Sequence, residues 1–253
     1  MIWSDRILSE KRILITGASS GIGRVCAVIC SQLGAQIVAM GRNVERLEET
    51  INNLHGEGHN LIGCDLTDSN QIQEKLSNLK TESPISGFIH CAGIEQTNPL
   101  KGIDAVAFSN MFNTNVLSAV EIIKIISSSK MRDKNGGSYV IISSVRGIVG
   151  GKGLIEYSCT KSAIYGLIKS SASELACKMI RINCISPAYV NTPMLKSLFG
   201  NLPEESIKNI ESKHLLGIIE PEDVANLCVY LLSDLGRKIT GTNIILDSGY
   251  LLA

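Results

Sequence analysis

Arg12-Ile13-Leu14-Ile15-Thr16-Gly17-Ala18-Ser19-Ser20-Gly21-Ile22-Gly23 is an apolar run that breaks into a glycine-rich turn and opens at once into a helical pattern. The run over 12–16 reads as a strand covered on both faces, and the apolar spacing over 22–33 reads as a helix. In such a strand-turn-helix Gly17 permits the tight turn and Gly21 lets backbone amides approach a pyrophosphate. Gly23 allows helix and strand to pack closely, with the helix N-terminus facing the anion. Ser19, Ser20 and Ile22 belong to the same turn and join the glycines as expected dinucleotide contacts.

Outward from that turn the alternation repeats. Further strands are predicted at 36–40, 60–64, 87–90, 138–143, 180–185 and 243–246, and further helices at 44–54, 69–79, 104–128, 154–178 and 221–233. Strands alternating with helices give parallel pairing through right-handed crossovers, so the expected fold is α/β: a doubly wound Rossmann sandwich of seven parallel strands with helices on both faces. No linker, repeat or low-complexity tract divides the chain, and 1–253 is expected to form a single domain. The irregular stretch 187–217 carries Met194, Leu195, Leu198 and Phe199 at near-helical spacing, which predicts short helices forming a substrate lid.

Composition narrows the function classes. Lys plus Arg and Asp plus Glu both total 24 among 253 residues, so the net charge is +0 and nothing steers the chain toward nucleic acid or an anionic membrane. Hydrophobic residues at 44% rule out global disorder. The start of the chain lacks a signal-peptide pattern and no stretch approaches a membrane span, so a cytoplasmic location is expected. The eight cysteines include no CxxC pair and point to no metal site; Cys26 and Cys30 share one helix face and are expected to be buried. His55, His59 and His214 are expected at the surface.

The second strand ends at Met40-Gly41-Arg42-Asn43, without the acid that an NAD site places at the ribose, while Arg42 suits a 2′-phosphate; the residues favour NADP over NAD. Tyr157 and Lys161 stand at i and i+4 on one helical face, where an ammonium stabilises a phenolate and lowers the tyrosine pKa. Ser144 follows the strand 138–143, at the carboxyl edge where open α/β sheets bind ligands.

Taken together, these residues make the sequence resemble the short-chain dehydrogenase/reductase family over nearly its whole length. The resemblance rests on residues 16–23, Asp65-Leu66-Thr67, Ala92-Gly93, Asn115, Ser144, Tyr157 with Lys161, Pro187 with Thr192, and residues 241–249. It implies catalysis by Asn115, Ser144, Tyr157 and Lys161, with Ser144 and Tyr157 also touching the substrate. Asp65 and Leu66 would flank the adenine, Cys91, Ala92 and Gly93 would line the cofactor site, and Val190 and Thr192 would hold the nicotinamide carboxamide. The expected reaction is hydride transfer between NADPH and a carbonyl or secondary alcohol. Bacterial 3-oxoacyl thioester reductases are the most similar in look, with a substrate carried on an acyl carrier protein and Lys178 and Arg132 as its docking cations. An alternative is a non-catalytic protein that senses NADP(H); the intact catalytic set argues against it.

Three positions depart from the family pattern: His90-Cys91 in place of Asn-Asn, Ala188 in place of Gly, and Ser248 in place of Gly. The first brings into question the hydrogen bonds that tie the fourth strand to its neighbours. Finally, Ile122, Ile123, Ile125 and Ile126, with Ile164, Tyr165, Leu167 and Ile168, exceed what one face against a sheet requires, and the resemblance adds a homotetramer built on those helices.

Overall fold

The computed structural model describes residues 6–79 and 83–253. Seven parallel strands form one sheet: β1 (Arg12–Thr16), β2 (Gln36–Gly41), β3 (Asn60–Gly63), β4 (Gly87–His90), β5 (Gly137–Ile142), β6 (Ile180–Pro187) and β7 (Asn243–Leu246). Their order is β3-β2-β1-β4-β5-β6-β7, so the chain reverses its direction of travel between β1 and β4. A crevice opens at the carboxyl ends of the strands beside such a reversal, and it is where ligands bind in sheets of this kind.

Helices cover both faces. On one, α1 (Gly21–Gln32) and α9 (Pro221–Leu232) pack on Ile13, Ile15, Ile37 and Ile185. On the other, α3 (Ser69–Ser77), α5 (Ser118–Ile126) and α6 (Ile155–Leu175) pack on Leu14, Val38, Phe88 and Ile182. The remaining helices are α2 (Val44–Asn52), α4 (Ala105–Phe112), α7 (Pro193–Phe199) and α8 (Glu204–Ser212). No helix of the described residues is long and apolar enough to cross a membrane. All eight cysteines are free, and Cys26 and Cys30 are buried in the α1 face as expected.

Helix starts follow their caps. Asn43, Asp68, Asp104 and Thr192 each accept a backbone N–H from the first turn of α2, α3, α4 and α7. Ser20 makes no such bond at the start of α1, and no acid stands in that first turn. Its amides are thus left for something else.

Several expectations need correction. The helix predicted over 104–128 is interrupted: α4 passes through a wide π-turn, Asn113–Leu117, before α5. The surplus isoleucines are taken up by the chain itself. Ile122, Ile126, Ile164 and Ile168 are fully buried against the sheet, Ile123 nearly so, and Ile125, Tyr165 and Leu167 pack partly on the same core. α5 has α3 beside it as well as strands beneath, so more than one face is covered. His214 is buried too, donating from Nδ1 to the Ile210 carbonyl (2.7 Å) and accepting the Tyr189 N–H at Nε2 (3.3 Å). Its aromatic neighbours Tyr189 and Tyr250 close over it, and the polar residues around it in sequence give no sign of them.

Tying β4 to its neighbours falls to His90 in place of the amide. Thr16 accepts the Ala92 N–H (3.3 Å), and because Ser118 Oγ donates to the Thr114 carbonyl and so must accept from Nε2, the Thr16 hydroxyl donates to His90 Nδ1 (2.8 Å). Nε2–H then points to Ser118 Oγ (3.4 Å), whose own hydroxyl donates to the Thr114 carbonyl (2.6 Å). This chain of bonds fixes the neutral tautomer and joins β1, β4 and the start of α5.

Candidate functional site

Ser144 leaves β5 in extended backbone and accepts the Arg146 N–H (3.1 Å), closing the short turn Val145–Gly147. α6 then carries Tyr157, Lys161, Ile164 and Ile168 on its buried face, so the core positions of the helix deliver the two polar groups to the strand ends. Lys161 Nζ donates to the Ile142 carbonyl (2.9 Å), and Ser143 Oγ donates to the Lys161 carbonyl (2.9 Å). These bonds pin the helix to β5 at the place where chemistry would occur.

Asn115 sits in the π-turn, fully buried. Its Oδ1 accepts the Ile94 N–H (2.8 Å), and its Nδ2 donates to the Ile94 carbonyl (3.0 Å) and to Thr160 Oγ1 (3.0 Å). Asn115 therefore clamps the loop after β4 onto α6. A Cβ at Gly93 would lie 3.4 Å from Asn115 Oδ1 and 3.5 Å from Lys161 Nζ, in ordinary van der Waals contact, so the loop passes close against this clamp.

Electrostatics depart from the expected depressed tyrosine. Burial pushes the Tyr157 phenol above its ordinary value and nearby Glu95 adds to that, while a hydrogen bond with Ser144 works the other way. The Lys161 ammonium faces the ring of Tyr157, 5.5 Å from its centroid, and bonds a carbonyl instead of the phenol. Burial also pushes Lys161 down to about 8, against the pull of Cys91, Glu95 and Cys184. For both groups burial is the largest cause of the shift.

Two connected hollows meet here. A groove of about 560 Å³ runs along the carboxyl edge and is lined by Gly17, Ser19, Ser20, Gly21, Ile22, Gly23, Arg42, Asp65, Leu66, Cys91, Ala92, Gly93 and Thr192. A cavity of about 140 Å³ lies beside it and is lined by Ser144, Tyr157, Lys161 and Val190 together with Glu95, Arg146, Tyr189, Leu195 and Leu198. Ile22, Cys91, Gly93, Thr192 and Met194 belong to both walls.

The groove suits a dinucleotide on its own chemistry. At Gly17, φ is +66° and a Cβ would come within 2.8 Å of the Ala92 nitrogen, so the backbone there tolerates no side chain. The uncapped first turn of α1 faces the same groove with its amides free for an anion. Arg42 is exposed at the rim, and Asp65 is held below its ordinary carboxylate range first by the Thr67 backbone and hydroxyl, then by the Arg42 charge. Ala188 keeps a negative φ, so the missing glycine introduces no strain, whereas Ser248 stands at φ +50°.

Five residues in and around the cavity are not anticipated by the sequence motifs: Glu95, Arg146, Tyr189, Tyr250 and His214. Arg146 gives one local signal, being two positions after Ser144. Lys178 and Arg132, expected to meet a carrier protein, stand at the other edge of the sheet. Lys178 precedes the start of β6, Arg132 bridges to Ile85 ahead of β4, and β6 alone is eight residues long, roughly 26 Å.

The family described as enoyl-(acyl carrier protein) reductase matches residues 17–251. A 3-oxoacyl-[acyl-carrier-protein] reductase of Thermotoga maritima is 30% identical over 249 residues, covering 97% of this chain and 99% of that one. Dehydrogenase/reductase SDR family member 6 of Rattus norvegicus is 31% identical over 248 residues, covering 97% and 99%. The crystal structure of a short-chain type dehydrogenase/reductase from Mycobacterium marinum superposes with a TM-score of 0.86 at 28% identity, covering 98% of this chain and 99% of that one.

Proposed function

Because the chain belongs to the short-chain dehydrogenase/reductase family, we propose that it transfers a hydride between NADPH and the carbonyl carbon of a small-molecule substrate, the alcohol being the reduced partner. The observation that carries this reading is the shared wall: a glycine-lined groove opens into a cavity holding Ser144, Tyr157 and Lys161.

In this reading the first turn of α1 receives the pyrophosphate, Arg42 pairs with the 2′-phosphate, and Asp65 and Leu66 flank the adenine. Val190 and Thr192 hold the carboxamide. When bound, the nicotinamide supplies or accepts the hydride. Ser144 donates a hydrogen bond to the carbonyl oxygen, and Tyr157 delivers its proton to that oxygen as negative charge develops there. A phenol raised by burial stays protonated across the neutral range, as its role as the acid in reduction requires. Lys161, close to its titration point, stands beneath the phenol as the next proton holder, and Asn115 keeps the loop carrying Gly93 and Glu95 against α6.

Residues 187–217, including α7 and α8, serve as the substrate lid, since Met194, Leu195 and Leu198 form one wall of the cavity. A 3-oxoacyl thioester is the first candidate substrate from the relatives' names, and its carrier would have to approach the carboxyl edge, away from Lys178 and Arg132. A homotetramer completes the reading; exposed Val106 (67%) and Leu117 (46%) are apolar groups left for its contacts.

The deciding experiment is NADPH oxidation followed with a panel of ketones, oxo acids and oxoacyl thioesters. Turnover of at least one, with NADH poorer, is expected. Binding of NADPH with no turnover of any panel member would favour the sensing alternative.

A further inference from the structure

Arg146 is the one strong cation of the cavity wall that the hydride-transfer reading does not use. Its side chain makes three hydrogen bonds, all to neutral acceptors. Nη1 donates to the Gly150 carbonyl (3.1 Å), and Nη2 donates to the phenol oxygens of Tyr189 (3.0 Å) and Tyr250 (2.8 Å). The guanidinium also lies 5.7 Å and 5.5 Å from the centroids of those two rings. A guanidinium has five N–H donors in a planar fork, so two remain. None of the ion pairs among the described residues includes Arg146.

Glu95 lines the same cavity without coming within ion-pair distance of Arg146; burial raises its carboxyl above the ordinary value, and the charges of Arg146 and Lys161 oppose that rise. A half-buried cation braced by phenols, with no carboxylate of the described residues at ion-pair distance, is an unfinished arrangement, since burying charge is unfavourable until it is paired.

Its position relative to the chemistry is fixed by the turn after β5. Ser144 and Arg146 are two residues apart, so their Cα atoms lie within about 7 Å. The Arg146 backbone N–H bonds the Ser144 hydroxyl directly. Val145, Leu195 and Leu198 line the same cavity and give it apolar surface for a short carbon chain.

We infer that Arg146 is the substrate's anion anchor: the carbonyl compound carries a carboxylate a short carbon chain away from the carbon that receives the hydride. This rests on the hydride-transfer reading and narrows its substrate class to oxo acids and their hydroxy-acid products, in preference to neutral thioesters. The carboxylate accepts a charge-assisted hydrogen bond from a spare N–H of the guanidinium, and Tyr189 and Tyr250 hold that group in place.

The test compares kcat/KM for NADPH oxidation with straight-chain 2-, 3- and 4-oxo acids, their methyl esters and a neutral 3-oxoacyl thioester. Wild type should favour one oxo acid over its own ester by roughly 10- to 100-fold, the range of a charge-assisted hydrogen bond. Arg146→Met should bring that acid-to-ester ratio close to one. Arg146→Lys, a point charge without the fork, should keep part of the ratio and serves as the readout if the methionine variant fails to fold. Glu95→Gln removes the carboxyl that shares the field of Arg146 with the substrate and should raise the ratio. A merely structural strut would lower acid and ester together and leave the ratio where it was, which would overturn the inference. So would a wild-type preference for the ester or the thioester; both outcomes leave hydride transfer standing. If neither charged nor neutral carbonyls oxidise NADPH, the underlying reading fails, and the inference falls with it.

Discussion

Residues 17–23 furnish the floor of the nucleotide groove with backbone amides and missing side chains, all within one turn. The polar wall of the neighbouring cavity joins Arg146 to Tyr250 across 104 positions of chain and to Tyr189 across 43. One hollow is defined by what is left out and the other by what has been brought in. The groove should therefore suffer from added atoms, and the cavity from removed ones, even where the two share a wall.

The sharpest test of that contrast removes a single oxygen from the cavity. Tyr157→Phe should lower kcat by about 10²- to 10⁴-fold, the range for a lost general acid, while NADPH affinity by fluorescence titration stays near the wild-type value. An equal loss of cofactor affinity would mean that the two hollows are not separable. In the groove the corresponding change is an addition. Gly17→Val places a Cβ 2.8 Å from the Ala92 nitrogen at φ +66°. Strain and overpacking together should destabilise the protein by about 2–4 kcal/mol in chemical denaturation and abolish NADPH binding. A variant of unchanged stability that binds NADPH normally would remove the case for a backbone-built floor.

The rim of the groove is where a side chain does matter. Arg42→Ala should erase most of the preference for NADPH over NADH, a loss of about 1.5–3 kcal/mol in comparative titrations. Equal affinities in the wild type would show that the exposed guanidinium holds no phosphate.

Beneath the shared wall lies His90, whose ring burial pushes down to about 3 while the Lys161 charge adds to the shift. The unfolded chain takes up this proton near pH 6.5, before the folded one does, so its contribution is whole above pH 6.5 and is lost as pH falls toward 3. At pH 5 the loss is about 2 kcal/mol. His90→Asn should flatten the fall in unfolding free energy between pH 7 and pH 5. An acid limb as steep as the wild type's would assign that limb to other groups.

Local and distant coding also separate the parts of this molecule that are legible in its sequence from those that are not. The strand 12–16, the turn after it and the helix that follows are coded by neighbouring residues, and β1 falls on its predicted bounds. Tyr157 and Lys161 are legible because i and i+4 is itself a local relation. Arg146, Tyr189 and Tyr250 are not, because each looks like an ordinary surface residue until β5, β6 and the residues after β7 arrive side by side. His214 escapes for the same reason. Local spacing also misleads about the tyrosine pKa, since burial and Glu95, 62 positions away, raise it despite a lysine on the next turn.

The π-turn at Asn113–Leu117 adds one more consequence. Ser118 N–H reaches back to the Asn113 carbonyl, one residue further than in an α-helix, so the turn holds one residue more than its neighbours need. A chain shortened by one residue there would relax into a regular helix, with α4 and α5 keeping their phase against the sheet. If the residue lost is Asn113 or Thr114, however, Asn115 would turn away by about 100° and release both Ile94 and Thr160. Length variation at this point can thus uncouple folding from function: a single-codon deletion would spare the architecture and dismantle the clamp.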